Sequence, residues 1–475
     1  MDNYESFRLA AREAAEQFES IPHSKVIRLV SHFDADGITS AAILSRMLIY
    51  GNRKFHLTNV QSLTADFIKG MSEENYDAVI FSDLGSGQLD AIDEHLKAKK
   101  VFILDHHVPA KKSDLLGKNI IQLNPLLHGL DGNAEVSGAG VSYTFAKAVD
   151  ARMVDFANLA IVGAIADQQE DNGFTGMNAE ILSDAVKMGK MGVMEGLRFF
   201  GTSTRPLHKV LEFNAEYFIP GVTGSETASI AFLKDIGINP RNSNNEWKKV
   251  NQLTETEMQK LIDGIIEKRR HEKDPSDIFG SIYIIKSEER GSQFRDAREF
   301  ATVLNAAGRL GHTSEGVACC LGDLESRGRA VKLLFEYQYK LLSAFRWLDE
   351  KRGTADFIQR EGYTILNARD AIPSTIIGTF SSILARTDNL RPKSIVITLS
   401  NKDSEFTKIS LRFTSRDNPH DLREICRMLL NGFANSEFGG HKNAAGGLLR
   451  TEDADKFIKN AEDVLEKICM EESIG

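Results

Sequence analysis

The sequence predicts an α/β fold with a mostly parallel sheet core, a helical insertion, a long connecting helix and a smaller α/β domain. Two observations carry the core. Short apolar, partly β-branched runs at residues 26–30, 78–81 and 101–104 read as buried strands, and helical periodicity lies between them. Each run then opens into acids or histidines, as expected where strands of a parallel sheet end. A third observation separates the smaller domain: after residue 353, strand-like and helix-like stretches alternate again.

The strand ends hold the chemistry. Residues 26–30 lead into His32-Phe33-Asp34-Ala35-Asp36-Gly37, residues 78–81 into Asp83, and residues 101–104 into Asp105-His106-His107. A fourth apolar run, 159–166, reads as another strand and delivers Asp167. In an open parallel sheet these ends converge on one ligand site. Carboxylates crowded within a few Å repel by roughly 4 kcal/mol per close pair at an effective dielectric near 20, so cations must offset them. Oxygen-rich sites with one or two imidazoles suit Mn²⁺ or Mg²⁺, whereas zinc or iron–sulfur sites want thiolates. Two ions about 3.5–4 Å apart, bridged by one carboxylate, are the usual apparatus for in-line displacement at phosphorus. The expected chemistry is phosphodiester hydrolysis.

In order and spacing, these motifs resemble the metal motifs of the DHH phosphoesterase superfamily, and the chain is similar to RecJ-type single-strand exonucleases, above all the archaeal branch that associates with the replication factor GINS. The resemblance implies two divalent cations, Mn²⁺ preferred and Mg²⁺ as substitute. It places His32 and Asp34 on one ion, Asp36, His106 and Asp167 on the other, and Asp83 between them. Asp105 would support His106 or its loop, and His107 would meet the phosphate or leaving oxygen. Residues 304–312 resemble a RecJ motif that returns to the metals and turns Arg309 toward the scissile phosphate, where a planar, permanently charged fork can hold two oxygens. The implied products are nucleoside 5′-monophosphates, in DNA replication or repair. Rival readings are an oligoribonucleotide or cyclic-dinucleotide phosphodiesterase, which shares every motif, and a noncatalytic replisome scaffold, whose metal motifs are degraded. Inorganic pyrophosphatase is disfavoured, because its relatives lack a substrate domain with a Gly-Gly-His segment.

Composition sets the outer limits. At 475 residues the chain holds about three domains, and 42 % hydrophobic with 26 % charged residues is ordinary for a globular protein. No apolar stretch reaches the roughly 18 residues of a membrane span, and the N-terminus lacks a basic region and apolar core. A cytoplasmic protein without membrane contact is expected. Cys319, Cys320, Cys426 and Cys469 lack metal-binding spacing and read as buried free thiols. A net charge of −9 excludes a nonspecific basic coat, so any grip on a phosphate chain is local.

Along the chain, residues 1–204 form the expected core. An amphipathic helix over 1–21 carries Phe7, Ala10, Ala11, Ala14, Ala15 and Phe18. Ser137-Gly138-Ala139-Gly140 opens a helix, either to bring backbone N–H groups to an anion or to allow close packing; spacing does not decide. Glycines in 173–201 punctuate short helices. Residues 205–275 read as a mainly helical insertion, with a capping box at Thr254 and Glu257, that serves as partner dock or structural cap. The chain returns to the core over 276–325, and a single long helix follows over 326–352, with its aromatics read as core. In the C-terminal domain, 353–475, Ser410 and Arg412 share one side of a strand by its period of two. Phe438 to Gly447 reads as a glycine-rich loop containing Gly440, His441 and Lys442. The resemblance makes the first a phosphate- or backbone-binding segment and the second the Gly-Gly-His signature of the DHH-associated substrate domain. Lys408, Arg412, Arg416 and Lys442, with Arg391 and Lys393, would supply the local basic surface, along a groove to the core that passes a single strand of DNA or RNA. The OB-fold of bacterial RecJ has no room after Gly447, which favours recruitment by a partner such as GINS.

Overall fold

Apolar runs too uniform to have a polar face must be covered on both sides, and the first part of the chain does this by alternating strand and helix. The computed structural model describes residues 2–110, 116–170, 173–214, 217–272, 274–386, 390–415 and 420–474, with His441 and residues 470–474 described by backbone alone. The amphipathic start forms α1 (Asn3–Glu19), capped by Asp2 and burying Phe7, Ala11, Ala14, Ala15 and Phe18. There follow β1 (Ile27–His32), α2 (Ala35–Tyr50), β2 (Phe55–Val60), α3 (Ala65–Glu73), β3 (Ala78–Ser82), α4 (Leu89–His95), β4 (Lys100–Leu104) and β5 (Ile120–Leu123). The strands form one sheet in the order β2-β1-β3-β4-β5, and every pairing is parallel. All strand ends that bear acids and histidines therefore lie along one edge.

The expectation of a strand at 159–166 is corrected. After α5 (Gly138–Val149), residues 157–166 form α6 (Ala157–Ala166), and Asp167 caps its C-terminal end. Eight of its residues, Ala157 and Leu159–Ile165, are buried, and α2, α5 and the later helix Ala297–Arg309 pack around it. A helix apolar all round shows no 3.6-residue rhythm, so periodicity cannot separate it from a buried strand.

The chain continues through α7 (Gly176–Lys187), β6 (Met191–Leu197), α8 (Leu207–Glu212), α9 (Glu226–Asp235), α10 (Glu255–Lys268), β7 (Phe279–Ile285), α11 (Ala297–Arg309), α12 (Thr313–Cys320) and α13 (Leu324–Lys351). The expected capping box of α10 is present in both directions: Glu257 N–H donates to Thr254 Oγ1 at 3.2 Å, and Thr254 N–H to Glu257 Oε2 at 3.1 Å. The glycines of 192–196 lie in a strand rather than between short helices, because β6 pairs antiparallel with the distant β7, Met191 opposite Ile285 and Leu197 opposite Phe279. On α13, Leu333, Leu334 and Tyr337 are buried as expected, but Leu342 is exposed, and Phe335 and Tyr339 are 56 % and 65 % exposed rather than core.

The remaining elements are β8 (Phe357–Arg360), β9 (Tyr363–Asn367), α14 (Ser374–Leu384), β10 (Ile395–Asn401), β11 (Phe406–Phe413), α15 (Leu422–Leu430), β12 (Glu437–His441), β13 (Ala444–Arg450) and α16 (Ala454–Ile474). They build a second sheet in the order β12-β13-β11-β10-β9-β8. Its core includes Tyr363, Ile397, Leu411, Leu429 and Phe457, each such side chain contributing about 1.5–3 kcal/mol by leaving water. By internal contacts the chain divides into two units: Met1–Pro206, Lys248–Leu253 and Ser276–Leu334 form one; Leu207–Trp247, Thr254–Pro275 and Phe335–Gly475 form the other.

One buried acid of the first unit predicts a pH dependence. Glu299 on α11 is 1 % exposed and accepts from Thr204 Oγ1 at 2.7 Å. Burial, with Asp296 nearby, pushes its carboxyl up to about 7. Between the ordinary carboxylate range and that value, the folded protein holds a proton that the unfolded chain has released. Stability therefore falls as pH rises through this window, by at most about 3.5 kcal/mol. Replacing Glu299 with Gln is expected to flatten the fall in Tm between about pH 5 and 7.5; an equally steep fall in the variant would contradict it.

Candidate metal centre

The ends of β1, β3 and β4 and the C-terminal end of α6 bring their acids and imidazoles together. Asp34 caps α2, its Oδ1 accepting from Gly37 N–H at 3.1 Å. Asp36, in the first turn, is 2 % exposed and accepts from Ser137 Oγ at 2.9 Å, Gly138 N–H at 2.7 Å and Ala139 N–H at 3.0 Å. The anion that the glycine-rich start of α5 meets is thus the protein's own carboxylate, held at a helix N-terminus.

Asp83 is the shared member. It sits at the end of β3 with φ +58°, a left-handed conformation that Asp tolerates better than most residues. One of its oxygens, Oδ2, lies 3.6 Å from His32 Nδ1, and the other, Oδ1, 3.3 Å from His106 Nε2. His32 Nδ1 is also 3.0 Å from Asp34 Oδ2, while His106 Nε2 is 3.6 Å from Asp167 Oδ2 and 3.9 Å from Asp36 Oδ2. Ligand-type atoms of His32, Asp34 and Asp83 all lie within 4.8 Å of one another, as do those of Asp36, His106 and Asp167.

Asp105 is occupied differently. Its Oδ1 accepts from His106 N–H at 2.8 Å and from His107 Nδ1 at 2.7 Å, and its Oδ2 accepts from Ser86 N–H at 2.9 Å. Burial would raise this carboxyl, but His107 and the Ser86 N–H hold it well below the usual carboxylate range. In return the Asp105 carboxylate raises His107 to about 9.

The other charges show how much positive charge the cluster demands. Burial, together with Asp83 and Asp167, raises the Asp36 carboxyl well above its ordinary value, and burial raises that of Asp167. Burial alone would lower His32 and His106, yet the carboxylates raise both. The cluster thus retains protons wherever no other cation compensates it. Divalent cations fit the donors present. Among the described residues, His32 Nδ1 and Asp83 Oδ1 are buried without a hydrogen bond. His106 Nδ1 lies 2.6 Å from Gly132 O, so as donor it leaves the Nε2 lone pair facing the carboxylates. Oxygen and imidazole donors of this kind suit Mn²⁺ or Mg²⁺.

Glycines let these parts approach. A Cβ on Gly37 would fall on the His32 backbone, on Gly132 on the His106 carbonyl, on Gly138 against Asp83, on Gly163 against Asp36, and on Gly308 against the Phe33 carbonyl. Gly132 and Gly163 carry no sequence signal, since one lies in a polar loop and the other inside an apolar run. Asn305 belongs to the 304–312 string that the resemblance singles out, where it has no role of its own; from α11 its Oδ1 accepts the Ala35 N–H at 3.0 Å, pinning the start of α2. Arg309, at the end of α11, has its guanidinium 5.9 Å from the centre of the Phe33 ring, and against burial it adds to the larger effects of His32 and the Gly37 N–H that keep Asp34 ionised.

The remaining predicted residues belong to the second unit. Arg412 Nη1 donates to Ser410 Oγ at 3.1 Å and Nε to Ser382 Oγ at 2.7 Å, so Ser410 and Arg412 do share a side of β11. The expected glycine-rich loop is a β-hairpin instead: β12 and β13 pair antiparallel, and Lys442 and Asn443 alone form its exposed turn. Gly440 has φ +121°, and a Cβ there would strike the Ala444 backbone. Arg416 lies outside the described residues.

A parallel α/β sheet whose strand ends gather carboxylates and imidazoles around a shared aspartate is built to hold divalent cations, as the metal-dependent phosphoesterases of the DHH family are. The chain matches the N-terminal domain of the DHH family over residues 26–165, the DHH-CID domain over 199–278 and the DHHA1 domain over 364–467. It is 30 % identical over 446 residues to uncharacterized protein MJ0831 of Methanocaldococcus jannaschii, covering 93 % of this chain and 94 % of that one. The fold is similar to RecJ from Thermus thermophilus in complex with Mn²⁺ (TM-score 0.58, 19 % identity, 96 % of this chain and 55 % of that one). It is also similar to exonuclease RecJ bound to manganese (0.57, 19 %, 96 % and 94 %) and to CDC45 from Entamoeba histolytica (0.64, 13 %, 98 % and 99 %). The chain spans about half the length of the Thermus RecJ. It belongs to the DHH superfamily, and its fold is like that of RecJ. Among the described residues no helix is long and apolar enough to cross a membrane.

Proposed function

We propose that this protein is a two-cation exonuclease that hydrolyses single-stranded DNA or RNA to nucleoside 5′-monophosphates. The observation that carries the reading is Asp83, whose two carboxylate oxygens face two separate ligand groups. His32 and Asp34 would hold one cation, Asp36, His106 and Asp167 the other, with Asp83 common to both. When bound, such a pair, Mn²⁺ by preference, supplies Lewis acidity: water activated near neutral pH and charge neutralised on the phosphorus oxygens.

The chain's own residues do the rest. Asp105 holds His107 through Nδ1, which leaves Nε2 of this 57 % exposed ring to donate to a phosphate or leaving oxygen. Arg309 orients the scissile phosphate through its planar fork. Ser410 and Arg412, with Gly440 and His441 at the end of β12 and Lys442 in the hairpin turn, bind the nucleic-acid backbone, as main-chain N–H groups beside glycines and a guanidinium suit. Such a grip is local, in keeping with the net charge of −9.

The CDC45 likeness favours a second, compatible role as a replisome component, with the DHH-CID region, residues 199–278, docking a partner such as GINS. A pull-down with and without that region tests the docking. The catalytic reading is tested by single-stranded DNA and RNA, each labelled at the 5′ or the 3′ end, incubated with Mn²⁺, Mg²⁺ or EDTA. Metal-dependent, stepwise release of mononucleotides from one end is expected. Turnover of dinucleotides alone would move the protein to the small-substrate phosphodiesterases, and no turnover of either would leave the scaffold role.

A further inference from the structure

Behind Asp167 the chain makes a turn that the proposed reaction does not use directly. Asp167 closes α6, Gln168 takes a left-handed φ of +58°, and Gln169 folds back beneath Asp167, 4 % exposed. A non-glycine residue in that conformation is strained unless its surroundings hold it there. The Gln169 Nε2 donates to Asp167 Oδ2 at 3.1 Å and to Gly132 O at 2.9 Å. That same carbonyl lies 2.6 Å from His106 Nδ1. Both partners of the amide nitrogen are pure acceptors, so the amide has one workable orientation, with Oε1 turned away. There Asn178 Nδ2 donates to Oε1 at 2.8 Å. Asn178 is fully buried, and its own Oδ1 has no hydrogen bond among the described residues. An orphaned buried acceptor costs about 1–3 kcal/mol, and what it secures is an N–H₂ group aimed at Gln169.

We infer that Gln169 is a positioning residue for the cation group of Asp36, His106 and Asp167, and that Asn178 sets its orientation. The inference rests on the metal reading above. The amide fixes which Asp167 oxygen faces His106, and it ties that oxygen to the carbonyl that aligns the His106 ring. Asp167, whose side chain is 35 % exposed, is otherwise the least confined member of its group. Asn59 Nδ2 donates to the His32 main-chain carbonyl at 2.7 Å, but among the described residues no side-chain amide holds the His32 ring or the Asp34 carboxylate, so the effect is confined to one of the two cations.

The test uses Mn²⁺ alone, titrated calorimetrically into the full chain, with electron paramagnetic resonance as the second readout. Wild type is expected to take up two Mn²⁺ and show the exchange-coupled spectrum of a close pair. Gln169→Glu, isosteric but an acceptor set against two acceptors, is expected to weaken one binding event by about 10- to 100-fold and leave the other in place. The coupled spectrum should then give way to that of isolated Mn²⁺. Gln169→Leu and Asn178→Leu, which remove the amide and its support without introducing a charge near Asp167, should show the same one-site loss, and Tm confirms that they fold. Two unchanged events overturn the inference, as does equal weakening of both in step with Tm, which marks a merely structural role. Wild-type protein that takes up fewer than two Mn²⁺ overturns the metal reading itself, a failure distinct from that of Gln169.

Discussion

Asp83→Asn is expected to lower phosphodiester turnover at least about 10³-fold, equivalent to some 4 kcal/mol of lost transition-state stabilisation. Each carboxylate oxygen faces one ligand group, so the change removes charge from both cations at once. Asparagine is the right probe because position 83 has φ +58°, which Asn accepts readily. Alanine there adds about 1–2 kcal/mol of backbone strain and confounds the result. A second readout comes from linkage: a cation at 100 times its Kd stabilises the folded state by about 2.7 kcal/mol. The rise in Tm that Mn²⁺ produces in wild type should therefore shrink in the variant. Retained turnover, or an equal Mn²⁺ shift, would remove Asp83 from its bridging position.

Gly308→Ala carries the second largest effect, although Gly308 lies on α11, far along the chain from every proposed ligand. A Cβ at Gly308 would fall on the Phe33 carbonyl oxygen, a backbone atom that cannot swing aside. Either α11 or the His32–Asp34 turn must move, and Asn305, which pins Ala35, moves with α11. Overpacking of this kind costs about 1–3 kcal/mol, and a displacement near 1 Å at a catalytic group costs about 10²-fold in rate. The expected outcome is a lower Tm together with a turnover loss larger than the Tm change explains, with weakened Mn²⁺ binding as the link. Wild-type turnover in this variant would mean that α11 does not hold the turn.

The sequence made the core legible because its strands end where the chemistry begins. His32, Asp34, Asp36, Asp83, Asp105, His106 and His107 were all placed at strand ends by a pattern that needs only short apolar runs. Asp167 was placed beside them for the wrong reason, since α6 is buried on every side and hides its period. The edge strand β2 was not seen, because Phe55–Val60 alternates weakly and pairs with β1 alone. The pairing of β6 with β7 spans a whole insertion, so no local signal announces it. In the second unit the Gly-Gly-His string looked like a loop because glycine lowers strand propensity, yet its backbone pairs in register. Gln169 and Asn178 were invisible for a plainer reason: an amide acquires a role only from what the fold brings to it.

Crystals soaked in Mn²⁺ and measured at the manganese absorption edge test the shared-aspartate centre most directly. Two anomalous peaks about 3.5–4 Å apart are expected, both in contact with Asp83, one beside His32 and Asp34 and the other beside Asp36, His106 and Asp167. A single peak, or peaks that Asp83 does not share, would contradict a two-cation centre built on that residue.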